Sequence, residues 1–221
     1  TKSAIDRWMA GEVTPTECGG SGKSSNGNGS VMRTLALVPY LESYKVDIRY
    51  MVVSNVSSIT HRHWISKYSC FLLCEYAIAL RKGMDKKEAF ETAVDHLESE
   101  RELEILLGGI TQAEYDEVFS ELIESIISGK ASDVDFKGSG YARDTVLTSI
   151  WCLLTTESYK EATLKAVNYG DDTDTTGCVT GGLAGALYGI DGIPTEWVNN
   201  LTRKEDIIEL VEKYEAVYEI V

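Results

Sequence analysis

Apolar residues recur at helical spacing along most of this chain. Between Trp64 and Leu80 they occupy nearly every side of the helix that the pattern predicts, so we expect that helix to be central and buried. Segments 84–103 and 112–128 combine apolar and acidic residues with a period of about 3.6, which predicts two outer amphipathic helices. Residues 46–56 fit a helix or a short strand. Since strands are expected to be few or absent, the pattern predicts an all-α domain.

The ends and faces of two further helices follow from local residues. Ser58 or Thr60 is expected to cap the central helix, because a side-chain oxygen there can accept a hydrogen bond from the first backbone amides. A last helix is predicted near the end of the chain, and its apolar spacing leads us to expect a buried face. That face comprises Ile207, Leu210, Val211, Tyr214 and Val217.

Length and composition indicate one domain of ordinary polarity. The 221 residues suffice for a single core, and we predict one domain over residues 1–221. The formal net charge of -14 argues against nucleic-acid binding, which needs a basic face to neutralise phosphates. The sequence has no apolar run of about 18 residues, so no membrane partner is expected. Cysteines scattered through apolar surroundings favour a reducing, cytoplasmic location.

Four polar loops each lead into the start of a predicted helix. They comprise residues 25–30, 58–63, 138–141 and 170–175. Backbone amides at helix N-termini attract anions, so four such ends meeting at one cleft would be able to hold a pyrophosphate. The first loop contains two Asn-Gly steps, which permit unusual backbone angles, and Arg33 follows it. This favours an anion or nucleotide cradle, while the composition also fits a flexible surface loop.

The turn over residues 170–177 carries three carboxylates and three hydroxyls. Oxygen ligands of this kind suit Mg²⁺, Mn²⁺ or Ca²⁺, while the same residues would also serve as an Asx-rich cap for the next helix. An EF-hand beginning at Asp172 is excluded, because Leu183 stands where that loop needs a bidentate glutamate. Asp172, Asp174 and Thr175 instead offer three oxygen donors, which is an incomplete metal shell.

Spacing excludes two other chemistries. The run Gly22-Lys23-Ser24 suggests a Walker loop, but Glu17 stands where that motif needs glycine, and no buried strand is predicted before it. His61 and His63 are two residues apart, whereas a metal pair on one helical face needs a spacing of three or four. We therefore expect one histidine to face a ligand and the other to be exposed.

Taken in order, these motifs resemble the ADP-ribosylglycohydrolase family, which includes dinitrogenase reductase-activating glycohydrolase. The matching segments are residues 28–33, 60–63, 139–141, 170–175, Gly189 and Ile193-Pro194. The resemblance implies an orthogonal multi-helix bundle, all-α, that hydrolyses the N- or O-glycosidic bond between ADP-ribose and a protein side chain or small acceptor. It also implies a binuclear Mg²⁺ or Mn²⁺ centre, with ADP-ribose or an ADP-ribosylated protein as partner.

Individual residues acquire expected roles from this resemblance. Asp172 and Asp174 are expected to be catalytic and, with Thr175, to bind metal. Tyr141 is expected to stack on adenine, and His61 to lie at the distal ribose and phosphate end. The other residues expected to bind substrate belong to two polar loops and the helix start behind the first: Ser25, Asn26, Gly27, Asn28, Gly29, Met32, Arg33, Gly138, Ser139 and Gly140.

The sequence departs from the family's pattern in the segment that would supply the remaining metal ligands. The family's N-terminal segment, with a Thr-Asp-Asp or Ser-Asp-Asp motif, is absent from this sequence. The chain is therefore expected to be a fragment, to work with a separate chain, or to have a degenerate metal site. The alternative function is a non-catalytic ADP-ribose-binding or crystallin-like structural relative. Ser25 stands where arginine-directed members are expected to carry aspartate, which leaves the cleaved linkage open.

Overall fold

The computed structural model describes residues 1–218, and its regular structure is helical throughout. The α-helices are α1 (Lys2–Met9), α2 (Val31–Thr34), α3 (Val38–Leu41), α4 (Val46–Ser58), α5 (Trp64–Arg81), α6 (Lys86–Leu106), α7 (Gln112–Tyr115), α8 (Glu121–Ile127), α9 (Ala142–Leu154), α10 (Tyr159–Val167), α11 (Thr173–Tyr188), α12 (Thr195–Asn199) and α13 (Lys204–Tyr218). A π-helical segment, Asp116–Ser120, joins α7 to α8, and short 3-10 turns lie at Pro15–Glu17, Leu35–Leu37, Asp133–Asp135 and Ile190–Gly192.

The all-α prediction is confirmed, and residues 46–56, which had fitted a helix or a strand, lie in α4. Between residues 1 and 218 no strand forms, and the only β-type pairings are two isolated bridges, Gly20 with His61 and Gly27 with Tyr141. Within the same residues, no helix has both the length and the apolar character that crossing a bilayer requires.

Helix α5 lies at the centre of the fold. Every residue from Cys70 to Leu80 is buried. Helices α4, α6, α9 and α11 pack against it and cover its different sides. A helix that is apolar nearly all round needs this enclosure, so the position predicted for it is confirmed.

A buried carboxylate interrupts the apolar surface of α5. Glu75 is 2% exposed, and it accepts hydrogen bonds from Arg49 Nε at 2.6 Å and Arg49 Nη2 at 2.5 Å. His96 Nδ1 lies 2.6 Å from the same carboxylate. Burial alone would raise the pKa of Glu75, but the hydrogen bonds with His96 and Arg49 outweigh it and hold the pKa below its ordinary value. The network ties α4, α5 and α6 together.

The expected cap of α5 is wrong. His63, rather than Ser58 or Thr60, occupies the cap position, and its Nδ1 accepts a hydrogen bond from the backbone amide of Ile65 at 3.4 Å. Ser58 is unable to cap this helix because it is the last residue of α4. The chain turns between α4 and α5, so α5 begins several residues after Ser58 and is capped by His63.

The expected burial of the α13 face is also wrong. Four of its five apolar residues are substantially exposed: Ile207 by 42%, Leu210 by 68%, Val211 by 49% and Val217 by 60%. The helix instead forms one wall of an open apolar groove whose opposite side includes Trp197. Helical spacing shows which residues share a face, but it does not show whether another element covers that face.

Replacing Arg49 by Met should lower the free energy of unfolding by about 3–5 kcal/mol, because Glu75 would remain buried without its bidentate partner. Urea unfolding followed by circular dichroism measures this change. The control is Arg81→Met, which removes a partly exposed ion pair with Glu42 and should cost less than about 1 kcal/mol. Equal losses in the two variants would contradict the role assigned to the buried network.

The pKa of Glu75 predicts a specific dependence of stability on pH. A carboxyl with a lower pKa in the folded state stabilises the fold above its unfolded pKa, and this contribution disappears as the pH falls through the folded pKa. The difference in unfolding free energy between the unchanged chain and Glu75→Gln should therefore shrink below about pH 4.3. Urea titrations at pH 7, 5 and 3 measure it, and a constant difference would refute the assignment.

Candidate functional site

The side chain of Asn28 joins segments that are far apart in the sequence. Its Nδ2 donates to Thr145 Oγ1 at 2.9 Å and to Asp172 Oδ2 at 2.6 Å. Its backbone amide donates to the carbonyl of Gly140 at 3.0 Å. Because Asn28 is only 8% exposed, these bonds satisfy polar groups that would be costly to bury unpaired. The loop over residues 25–30 is thereby held against the starts of α9 and α11.

The loop that ends at Tyr141 lies between the other two. On one side Tyr141 forms an isolated antiparallel bridge with Gly27. On the other side the backbone amide of Asp172 donates to the carbonyl of Gly138 at 2.7 Å. A Cβ atom at Gly138 would lie 2.3 Å from the carbonyl oxygen of Gly170, so this close approach requires glycine.

The loop over residues 58–63 reaches the same region through His61. The imidazole is buried against the backbone of Gly29, where a Cβ atom would come within 3.0 Å of the ring. His61 Nδ1 lies 2.8 Å from Thr60 Oγ1, which also accepts a hydrogen bond from Arg33 at 3.0 Å. Burial lowers the pKa of His61, and the charge of Arg33 contributes, so the ring is neutral at pH 7. The four polar loops therefore meet.

Two of the residues expected to bind substrate also hold the first loop in shape. Arg33 donates to the carbonyl of Gly29 at 3.3 Å and to the carbonyl of Val56 at 2.7 Å. The side-chain oxygen of Asn26 accepts a hydrogen bond from Ser66 at 3.0 Å, and Asn26 is buried. These contacts are structural. A direct contact of either residue with substrate stays a prediction.

The remaining expected substrate contacts lie at the rim of this region. Ser25 and Gly27 line a cavity of about 370 Å³ that His61 also borders. Met32 is 50% exposed in the first turn of α2. Ser139 donates to a carboxylate oxygen of Asp144 at 2.7 Å, which fixes the loop just before α9.

The acidic turn is the beginning of α11. Asp172 is the residue immediately before the helix, and Asp174 and Thr175 lie in its first turn. The hydrogen bond from Asn28 lowers the pKa of Asp172, and the neighbouring Thr175 and Asp174 side chains lower it further against the effect of burial. Asp172 is therefore ionised at neutral pH. Asp174 is exposed, whereas Thr175 is buried.

The oxygen donors of this turn are of the kind that binds a hard divalent cation, but they are too few to complete its coordination shell. Carboxylate and hydroxyl oxygens are the ligands that Mg²⁺ prefers, and that ion takes an octahedral shell. In the part of the chain that the structure describes, no group of three or more His, Cys, Asp or Glu side chains is placed to hold a metal ion. Asp172, Asp174 and Thr175 would thus provide only part of a coordination shell.

Sequence reasoning missed two features near these loops. Thr145 receives the second Asn28 hydrogen bond, and its position one helical turn after Tyr141 was the available signal. The second feature is a cavity of about 240 Å³ bordered by Glu117 and Arg143. Nothing in the sequence pattern indicated it, because Glu117 belongs to a segment that has the pattern of an outer amphipathic helix.

Comparison with known proteins gives a consistent result. A sequence model of the family described as ADP-ribosylglycohydrolase matches residues 1–220. The ADP-ribosylarginine hydrolase Tri1 of Pseudomonas putida (strain GB-1) is 28% identical over 96% of this chain and 52% of its own length. The ADP-ribosylhydrolase ARH3 of Mus musculus is 25% identical over 90% of this chain and 59% of its own length. The chain thus spans little more than half the length of these curated relatives.

A solved structure has the same fold. The ADP-ribosylglycohydrolase-related protein complex superposes with a TM-score of 0.72 at 24% identity, and the match covers 99% of this chain and 68% of that one. At this identity the similarity establishes the architecture alone. The orthogonal bundle expected from the sequence is confirmed.

The close approach at Gly138 gives a structural prediction. Gly138→Ala should lower the free energy of unfolding by about 1–3 kcal/mol, because the new methyl group would meet the backbone carbonyl of Gly170. The matched control is Gly22→Ala, where a Cβ atom meets nothing within 4 Å, and its stability should be unchanged. Urea unfolding compares the two variants. A neutral Gly138→Ala would show that the two loops are not in this contact.

Proposed function

The chain belongs to the ADP-ribosylglycohydrolase family, and from that premise we propose that it binds the ADP-ribosyl group of a modified protein or small acceptor and takes part in hydrolysing the glycosidic bond. The observation that carries the proposal is the contact of Asn28 with Asp172, two residues 144 positions apart. This contact joins the polar loop to the acidic turn, so one ligand would be able to reach both. We also propose an acceptor linkage through arginine or serine.

The chain's own residues would bind the two ends of ADP-ribose. The amide of Ala142 donates to the carbonyl of Asn26 at 2.9 Å, so the backbone amides that follow it in the first turn of α9 would face the pyrophosphate. The ring of Tyr141 would stack on adenine. His61 is a neutral imidazole whose Nδ1 already contacts Thr60, so its Nε2 is the ring nitrogen that would be offered to a ribose hydroxyl. Asn28 would hold Asp172 in position through its 2.6 Å hydrogen bond.

Asp172, Asp174 and Thr175 would hold a divalent cation, Mg²⁺ or Mn²⁺. Its positive charge would stabilise the negative charge that develops on the leaving group. The remaining ligands would come from other groups, because three oxygens do not complete the shell. We therefore expect the described residues to bind such a cation only weakly on their own. The proposed centre is binuclear, as the resemblance implies.

A second candidate function is ADP-ribose binding without hydrolysis. It is favoured by the incomplete set of metal-binding groups within residues 1–218. Isothermal titration of the chain with ADP-ribose separates this function from a structural role, and chromatography after incubation with an ADP-ribosylated peptide separates it from hydrolysis. Binding without turnover of a modified substrate would identify a binding protein, and no binding would leave only a structural role.

The state of the cysteines agrees with a cytoplasmic location, which we propose as well. All five are free thiols, and Cys178 alone is exposed. Free thiols persist in reducing compartments, whereas secreted domains tend to pair them.

Replacing both Asp172 and Asp174 by Ala should lower the rate of ADP-ribose release on the order of 10³-fold, because several kcal/mol of charge stabilisation would be lost. Release is measured with Mg²⁺ from arginine-linked and serine-linked ADP-ribosyl peptides. The control is Asp171→Asn, which changes an exposed residue of the same turn to one that tolerates its positive φ of 57°. Unchanged turnover in the double variant would refute the proposal.

A further inference from the structure

A cavity beside the first polar loop is bordered by one guanidinium and by no carboxylate. Its volume is about 370 Å³, and its border includes Arg7 from α1 together with Ser25, Gly27, Thr60 and His61 from the polar loops. None of the described residues that border it is an aspartate or glutamate, although the formal net charge of the chain is -14. The cavity therefore suits an anionic group.

Arg7 is fixed at the edge of this cavity with donors to spare. Its Nη1 donates to the backbone carbonyl of Cys18 at 3.1 Å and, at 3.4 Å, to that of Glu17. Its Nε lies 4.0 Å from a carboxylate oxygen of Glu12, whose side chain is 60% exposed, so this ion pair neutralises little of the charge. Among residues 1–218 no acceptor is bonded to Nη2. N–H groups of the guanidinium thus remain for a ligand.

The cavity lies on the side of the first loop where the end of ADP-ribose away from the base is expected. Gly27 borders the cavity and also pairs with Tyr141, the residue expected to stack on adenine. His61, expected at the distal ribose, borders the cavity as well. Ligand sites span roughly 300–1,000 Å³, so a cavity near the lower limit has room for a phosphate and its attached sugar.

We propose that Arg7 binds the second phosphate of ADP-ribose, the one attached to the distal ribose. The N–H groups of a guanidinium form a planar fork that matches two phosphate oxygens, and such charge-assisted hydrogen bonds are stronger than neutral ones. This inference rests on the proposed function, because it assigns a further residue to the same ligand site.

The test compares the affinity of the full 221-residue chain for ADP and for AMP, which lacks the second phosphate. Isothermal titration is carried out with EDTA, so that cations chelated by ADP do not contribute. The unchanged chain should bind ADP about 10-fold more tightly than AMP or better, as expected for hydrogen bonds to a charged group. Arg7→Met should reduce this ratio to about threefold or less and leave the affinity for AMP unchanged, because methionine has no N–H donor.

Lys2→Met is the matched control, since Lys2 is an exposed cation of the same helix that does not border the cavity, and it should retain the ratio. A ratio near one in the unchanged chain, or a full preference for ADP in Arg7→Met, would overturn the inference while leaving nucleotide binding intact. Equal loss of preference in both variants would also overturn it, because a general charge effect would then be responsible.

Proportional loss of ADP and AMP binding in Arg7→Met would overturn the inference too, since Arg7 would then maintain the shape of the whole site. If the unchanged chain binds neither nucleotide, the proposed function fails and this inference fails with it.

Discussion

The candidate site depends on the hydrogen bonds made by one buried residue, Asn28. Asn28 sits where three segments meet, and its side-chain nitrogen and backbone amide have partners on two other loops. An unpaired polar group at that depth would cost about 1–3 kcal/mol, so the three segments can come together only in an arrangement that supplies those partners. The position of Asp172 is thus set by hydrogen bonding across the fold as well as by its own turn.

The residues that stabilise the bundle and those of the candidate site lie in different parts of the fold. Stability rests on α5, which is enclosed by four helices and fastened to two of them through Glu75. The polar loops lie at helix ends around this core, where backbone amides lack partners within their own helix. The helices bring these loop residues together, so the candidate site lies at the edge of the core.

Most of the architecture could be predicted from the sequence, because burial and helical periodicity determine it. The central helix and the outer acidic helices followed from spacing alone, and the motifs in order indicated the family. The cap at His63 and the exposed face of α13 were not predictable in the same way. The cap depends on where the chain turns before α5, and the exposure of α13 depends on whether another element covers it. The spacing of apolar residues indicates neither of these.

For the candidate site, the sequence indicated four loops that the structure brings together, but it did not indicate the contacts that hold them. The same limit applies in the core, where Arg49 and Glu75 lie on different helices and no local sequence pattern identifies their ion pair. The same is true of Arg143, whose neighbour Val118 belongs to a distant helical segment.

The two glycines that permit the loops to touch also limit how this protein can be altered. A Cβ atom at Gly138 would clash with a backbone carbonyl, and one at Gly29 would lie 3.0 Å from the ring of His61, which would have to move aside. Substitutions that alter ligand preference are therefore expected at the rim of the candidate site, where Ser25 is partly exposed and Met32 is 50% exposed. A mutational library aimed at new specificity should vary the rim and leave these glycines unchanged.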